Sequence, residues 1–332
     1  MRPCSLNPDD VARARALLCS GSRSFFAASL LLPRSVRAPA TVLYAFCRQA
    51  DDAIDLGDDP AAALGLLRAR LDAIYAGAPL TGDAAFAEVV EAFEIPRTLP
   101  EALIDGMAWD AAGRRYATLD ELLDYAARVA GAVGVMMALL MGVRDAAALA
   151  RAADLGVAMQ LTNIARDVGE DAAAGRLFLP LDWLAQAGID VPAFLAAPCF
   201  TPALGSVIAR LLAQADELYA RARAGIAVLP ASCRPGIAAA RRIYAAIGRE
   251  IVAAGYDSVS ARARVGGKAK LALAMAALTD LFATVTDSPA LPANQYLITA
   301  AAREIVPEVR GYAKLLVIFE RLERAQREAA TA

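Results

Sequence analysis

The chain contains no histidine in its 332 residues. That absence excludes Ser-His-Asp and Cys-His catalysis, histidine-ligated zinc and imidazole acid/base chemistry, and leaves carboxylates, arginine, lysine, tyrosine and bound ions to carry any reaction. Aromatic residues are scarce at 6%, and no β-rich run competes with the Ala- and Leu-rich composition, which suits packed helices. The five cysteines (Cys4, Cys19, Cys47, Cys199, Cys233) are odd in number and form no CxxC pair. Neither a disulfide framework nor a zinc site is expected, and a reducing cytoplasm is the default. Charge of neither sign dominates, with 34 Lys and Arg against 36 Asp and Glu, so nucleic acid is not an expected partner. Long apolar runs are missing too. The longest, Val129 to Gly142, has roughly 14 residues against the ~20 needed to span a bilayer, and the start, Met1-Arg2-Pro3-Cys4, has no apolar core that would suggest a signal peptide.

What is present is length and hydrophobicity: 58% apolar residues and a mean hydropathy of +0.42. Apolar residues recur with a 3.6 period near 8–19, 36–55, 60–76, 83–94, 100–113, 120–142, 147–172, 203–228, 234–255 and 267–286, which predicts a helix over each. Turn chemistry separates them, at Gly57-Asp58-Asp59-Pro60, Gly77-Ala78-Pro79, Pro96, Pro180, Pro198, Pro230 and Pro235. The result is a single all-α array with no low-complexity linker before Asp287-Ser288-Pro289. Residues 1–289 are therefore read as one domain and 290–332 as a helical appendage. Its stretch from about 306 to 330 is amphipathic, and a helix docked on the body is favoured over one lying on a membrane.

Two acidic constellations stand out. In Asp51-Asp52-Ala53-Ile54-Asp55, Asp51 and Asp55 are four apart and share one helix face, about 6 Å apart along the axis. Like charges so placed repel, and a cation would reverse the sign of that interaction. In Gln160-Leu161-Thr162-Asn163-Ile164-Ala165-Arg166-Asp167-Val168-Gly169-Glu170-Asp171, the residues Asn163, Asp167 and Asp171 step by four along one face. A lone DxxxD is usually a solvated face. Two such stripes, each embedded in apolar helix, point instead to a hard divalent cation. Mg2+ takes one or two carboxylates together with phosphate oxygens and water.

These segments resemble the squalene/phytoene synthase family. The likeness is carried by Tyr44-Ala45-Phe46-Cys47-Arg48-Gln49-Ala50-Asp51-Asp52-Ala53-Ile54-Asp55 and by Gln160 through Gly175-Arg176-Leu177-Phe178-Leu179-Pro180. It extends to Ser22-Arg23-Ser24-Phe25, Asp105-Gly106-Met107, Arg115-Tyr116, Tyr125, Val129 to Gly134, Tyr244, Tyr256-Asp257 and Arg262. It covers roughly residues 15 to 275 and is strongest toward bacterial phytoene synthases; Ala126 stands where many members have cysteine.

The resemblance implies an isoprenoid synthase fold, a helical array around a central apolar cavity. It implies that Asp51, Asp55, Asn163, Asp167 and Asp171 hold Mg2+, with Mn2+ as an acceptable substitute, and that Arg48, Arg166, Tyr244, Arg262 and Lys270 grip diphosphate with Ser22 and Ser24 assisting. Phe25, Tyr44, Tyr125, Val133, Gly134 and Gln160 would line the cavity. Asp51, Asp55, Asp167, Asp171 and Tyr244 are the expected catalytic residues.

The reaction so implied is head-to-head condensation of two geranylgeranyl diphosphates, through a cyclopropyl (prephytoene) diphosphate, to phytoene, without NADPH. Two alternatives remain: the same chemistry on farnesyl diphosphate, giving presqualene diphosphate, squalene or dehydrosqualene, and an inactive assembly relative. Intact acidic stripes argue against the second. A lipid product implies a cytoplasmic protein peripherally attached to the inner membrane, in contact with downstream carotenoid enzymes.

Overall fold

The computed structural model describes residues 4–55, 59–277, 279 and 289–303. In chain order the helices are α1 (Pro8–Gly21), α2 (Arg23–Ser29), α3 (Arg34–Asp55), α4 (Pro60–Tyr75), α5 (Ala84–Ala92), α6 (Thr98–Ala111), α7 (Leu119–Ala126), α8 (Ala132–Leu140), α9 (Ala146–Ala173), α10 (Leu181–Gln186), α11 (Val191–Ala196), α12 (Pro202–Ile226), α13 (Arg234–Ala253), α14 (Gly267–Ala276) and α15 (Gln295–Ala301). No strand occurs among the described residues. Several helices begin where the sequence supplies caps. Asn7, Asp59, Thr118, Asp145 and Thr201 each accept a backbone N–H from the first turn, and Pro occupies that turn in α1, α4 and α12.

The axis of the molecule is α9, which packs against α8, α12 and α13. Its apolar residues, among them Leu149, Val157, Leu161, Ile164 and Val168, are buried. Beside it, α7, a π-helical turn at Ala127–Gly131 and α8 form one rod over Leu119–Leu140. By length and composition this rod could cross a membrane. It is instead the core of the bundle: Leu122, Tyr125, Ala132, Val135, Met136, Leu139 and Leu140 are all buried by neighbouring helices. The rod and α9 meet backbone to backbone. A Cβ on Gly134 would lie 2.2 Å from the Ala152 carbonyl oxygen, and one on Gly156 would lie 2.1 Å from that of Ala130. Only glycine permits so close an approach.

The compact unit runs to Ala302. In it, α15 buries Leu297, Ile298 and Ala301 against α6, α8 and α9, and Asn294 is fully buried. A seven-residue helix is too short to register as a period, which is why the sequence places it outside the body. The expected helix over 306–330 and the far end of the one over 267–286 lie outside the described residues.

Candidate active site

The two acidic stripes lie where sequence spacing puts them, on the last turns of α3 and α9. A local device joins them. The last turn of α9 closes with Gly175 in the left-handed region (φ +72°), its N–H donating to the Ala172 carbonyl and that of Arg176 to the Asp171 carbonyl. This is the Schellman pattern, for which glycine is favoured. The reversal carries the Arg176 guanidinium back between the stripes, 3.4 Å from Asp55 and 3.7 Å from Asp171. Nothing in the local sequence gives Arg176 a role; the reversal makes it the bridge between the stripes.

Other arginines occupy the remaining carboxylates. Arg48 reaches Asp51 at 3.2 Å and Asp52 at 2.6 Å. Arg166 and Arg262 converge on Asp167 at 2.6 and 2.9 Å, and Arg262 also meets Glu170 at 3.1 Å. Arg262 arrives on the loop after α13. That loop can press on α9 because position 169 is glycine: a Cβ there would lie 2.5 Å from the Val259 carbonyl oxygen. The Gly169 N–H donates to the Ser258 carbonyl at 3.0 Å.

Burial raises the pKa of Asp51, with the neighbouring Asp55 charge adding to the effect. Burial likewise pushes the Asp171 carboxyl up to about 6, with Arg176 opposing it. A third carboxylate, unmarked in the sequence reading, faces the same region. Asp110 on α6 accepts from the Tyr125 hydroxyl at 2.6 Å. Burial, with Asp55 and Asp51 also acting on it, pushes it up to about 7. Tyr125 was expected in the cavity wall; it stacks instead with Tyr116 and Phe178 at 5.2 and 5.4 Å and is not among the cavity's lining residues.

On the other side of the mouth, Phe25 contacts the rings of Tyr44 and Tyr244 at 6.3 and 4.9 Å. Ser22 caps α2, accepting the Phe25 N–H at 3.2 Å, and is hydrogen bonded to Tyr244, whose hydroxyl burial pushes up to about 12. Ser24 is half-buried on the first turn of α2. Lys270 on α14 has its pKa lowered by burial and by the nearby Arg23 charge, which makes a cationic pair on the same side.

Between the mouth and the interior lies a cavity of about 330 Å³. Phe25, Tyr44, Val133, Gly134 and Gln160 line it, and its wall runs along α9 from Asn163 to Ala148. Fifteen helical steps of 1.5 Å make that wall about 22 Å long. The residues at its far end, Met141, Ala148, Ile226 and Leu229, are all buried, and at the other end Tyr44, Cys47 and Asn163 bring it beside the acidic stripes.

Among the described residues no three acidic side chains form a ready-made metal cage, since arginines sit between them. The donor set still fits a hard cation. Asp51, Asp55, Asn163, Asp167 and Asp171 offer only oxygen, and the Asn163 Oδ1 atom is buried with no hydrogen-bond partner. Mg2+ needs few protein oxygens when phosphate completes its shell.

A family described as squalene/phytoene synthase matches residues 18–270. Phytoene synthase of Rhodobacter capsulatus is 53% identical over 90% of this chain and 92% of its own length. That of Cereibacter sphaeroides is 49% identical over 96% of this chain and 95% of its own. Among solved structures, a dehydrosqualene synthase superposes with a TM-score of 0.74 at 28% identity, covering 82% of this chain and 96% of that one.

Proposed function

The chain belongs to the squalene/phytoene synthase family and has the isoprenoid synthase fold, and we propose that it condenses two geranylgeranyl diphosphates head to head to phytoene. The observation that carries this reading is the largely apolar wall of about 22 Å that runs along α9 from Asn163, beside the acidic stripes, to Ala148. With carbon–carbon bonds of about 1.5 Å, an extended isoprene unit adds roughly 5 Å, so four units reach the end of that wall. The names of the relatives from Rhodobacter and Cereibacter point the same way.

In this reading, Asp51, Asp55, Asn163, Asp167 and Asp171 hold Mg2+, which when bound withdraws charge from the diphosphate leaving group. Arg48, Arg166, Arg262 and Lys270 present donors to the diphosphate oxygens, the guanidinium fork matching phosphate geometry. An allylic C–O bond of one donor breaks heterolytically and diphosphate leaves. The double bond of the second donor attacks the cation, and loss of a proton closes the cyclopropylcarbinyl diphosphate. Departure of the second diphosphate, rearrangement and loss of a second proton give the central triene. No hydride is consumed, so NADPH has no role.

The rings of Phe25, Tyr44 and Tyr244 stabilise cationic carbon without reacting with it, each by roughly 0.5 to 2 kcal/mol. The apolar walls exclude the water that would quench it. Because the product is a hydrocarbon, we place the protein at the cytoplasmic face of a membrane, peripherally bound, where downstream carotenoid enzymes would take the product.

The test is incubation of the purified chain with geranylgeranyl diphosphate and Mg2+, with and without NADPH, against Asp51→Ala and Asp167→Ala. Phytoene formed without NADPH, and lost by a factor of about a thousand or more in both variants, is the expected result. Consumption of farnesyl diphosphate alone would replace the product with a C30 one; consumption of neither donor by folded protein would end the catalytic reading.

A further inference from the structure

The far end of the cavity holds a group that the chemistry above does not use. Arg151 lines the cavity and is 6% exposed, and the Asp154 beside it is 0% exposed. Arg151 Nε lies 3.2 Å from Asp154 Oδ2, and its Nη2 donates to the Pro289 carbonyl at 3.2 Å. Asp154 is held from the other side by Arg221 Nε at 3.0 Å and by the Asn294 amide at 3.5 Å. Arg221 donates to the same Pro289 carbonyl at 2.5 Å.

Two i, i+4 rows of α9 face the cavity. One, Gln160, Gly156, Ala152 and Ala148, is nearly smooth and offers a track for a chain. The other, Asn163, Met159, Leu155 and Arg151, ends on the arginine. Its stem cannot swing toward α12, because Gly225 packs directly on it: a Cβ at 225 would lie 2.4 Å from Arg151 Cβ. Its head cannot swing out without leaving Asp154 short of a partner in a dry interior, which is costly for a buried charge. A flexible apolar side chain at this point would yield to a longer ligand; this one is fastened.

We infer that Arg151, fastened by Asp154 and the Pro289 carbonyl, is the stop that sets the length of prenyl chain the cavity accepts. The inference rests on the proposed prenyl diphosphate chemistry but is tested apart from turnover. Non-ionising thiolo-diphosphates of C15, C20 and C25 chains, titrated with Mg2+ into the full chain by calorimetry, report chain preference directly.

Arg151→Ala leaves Asp154 its contacts to Arg221 and Asn294, and is expected to raise C25 affinity relative to C20 by at least about tenfold, the lower bound for a few methylenes gaining a pocket. Arg151→Lys, which keeps a long stem and a charge for Asp154, is expected to keep the wild-type ratio. Ala148→Leu shortens the track and is expected to favour C15 over C20 by a similar factor.

An unchanged ratio in folded Arg151→Ala, or an equal shift in Arg151→Ala and Arg151→Lys, overturns the inference. If Arg151→Ala loses its helical circular dichroism, Ala148→Leu decides, and an unchanged C15 to C20 ratio there overturns it. No binding of any analogue by wild type overturns it as well. Binding with the expected shifts but no product on incubation with the true substrates would leave the stop in place and remove the proposed reaction.

Discussion

One helix carries two clusters of carboxylate and arginine, and they differ in enclosure. At the far end of α9, the single carboxylate Asp154 is fully buried and met by Arg151, Arg221 and Asn294. At the other end, Asp167 and Asp171, with Asp51, Asp55 and Asp110 facing them, share their arginines across a half-exposed mouth. There the pKa values of Asp51, Asp110 and Asp171 are raised, and Asn163 Oδ1 stays without a partner. The far cluster shares these signs, since burial raises the Asp154 pKa too and Asn294 Oδ1 is likewise buried without a partner; what separates the two is enclosure, one carboxylate sealed in the interior against several part-exposed ones. Neither acid–arginine proximity nor a desolvated carboxylate identifies a site by itself; several such carboxylates gathered at a part-exposed surface make the stronger case.

The comparison breaks most readily at Asp154. Asp154→Ala leaves Arg151 and Arg221 facing each other without a counter-charge, and removal of one partner from a buried pair costs roughly 3–5 kcal/mol. Chemical denaturation followed by circular dichroism measures it. A loss under about 1 kcal/mol would mean that the far cluster is as loosely held as the surface pairs it is contrasted with.

Asp171→Asn tests the opposite end. Because burial already disfavours the charge on Asp171, its removal should leave stability unchanged or slightly higher. Exchanging a carboxylate that would hold Mg2+ against the leaving group for a neutral amide should lower kcat by a factor of about a hundred to a thousand, roughly 3–4 kcal/mol. Steady-state kinetics beside a melting curve separates the two effects. A variant that melts early and keeps its rate would reverse the assignment.

Much of this was legible in the sequence. The long helices follow their apolar period closely: 147–172 was expected and Ala146–Ala173 is found, and 203–228 became Pro202–Ile226. The stripes Asp51/Asp55 and Asn163/Asp167/Asp171 needed only i, i+4 spacing. The short helices α2, α10, α11 and α15 were not seen, because six or seven residues hold too few turns to show a period. Asp110 was missed for a different reason: its partners lie on other elements, and a lone aspartate two helices away from the motif carries no local signal. Arg151 and Asp154 read as an ordinary i, i+3 helix pair until Arg221 and Asn294 are brought against them by tertiary packing. Tyr125 was assigned to the cavity by resemblance, yet the Tyr116 and Phe178 rings and the Asp110 carboxylate hold it beside the mouth.

The smallest expected effect lies at Asp110, where desolvation at the mouth can be read as pH dependence. Its carboxyl has an ordinary value of 3.8 and is pushed up to about 7 in the folded chain. A carboxyl whose folded pKa is raised contributes stability that is full below the unfolded value and lost as pH rises through the folded one. The shift would correspond to roughly 4 kcal/mol if fully expressed, and relaxation and water entry should leave on the order of 1–2 kcal/mol. Asp110→Asn keeps an acceptor for the Tyr125 hydroxyl and removes the charge. Its melting temperature should match that of wild type near pH 4 and exceed it increasingly from pH 5 to pH 8, by a few degrees at the upper end. Parallel curves for the two proteins would mean that Asp110 is already compensated, and the mouth would then resemble the sealed cluster at the far end of α9 more than a site built to receive charge.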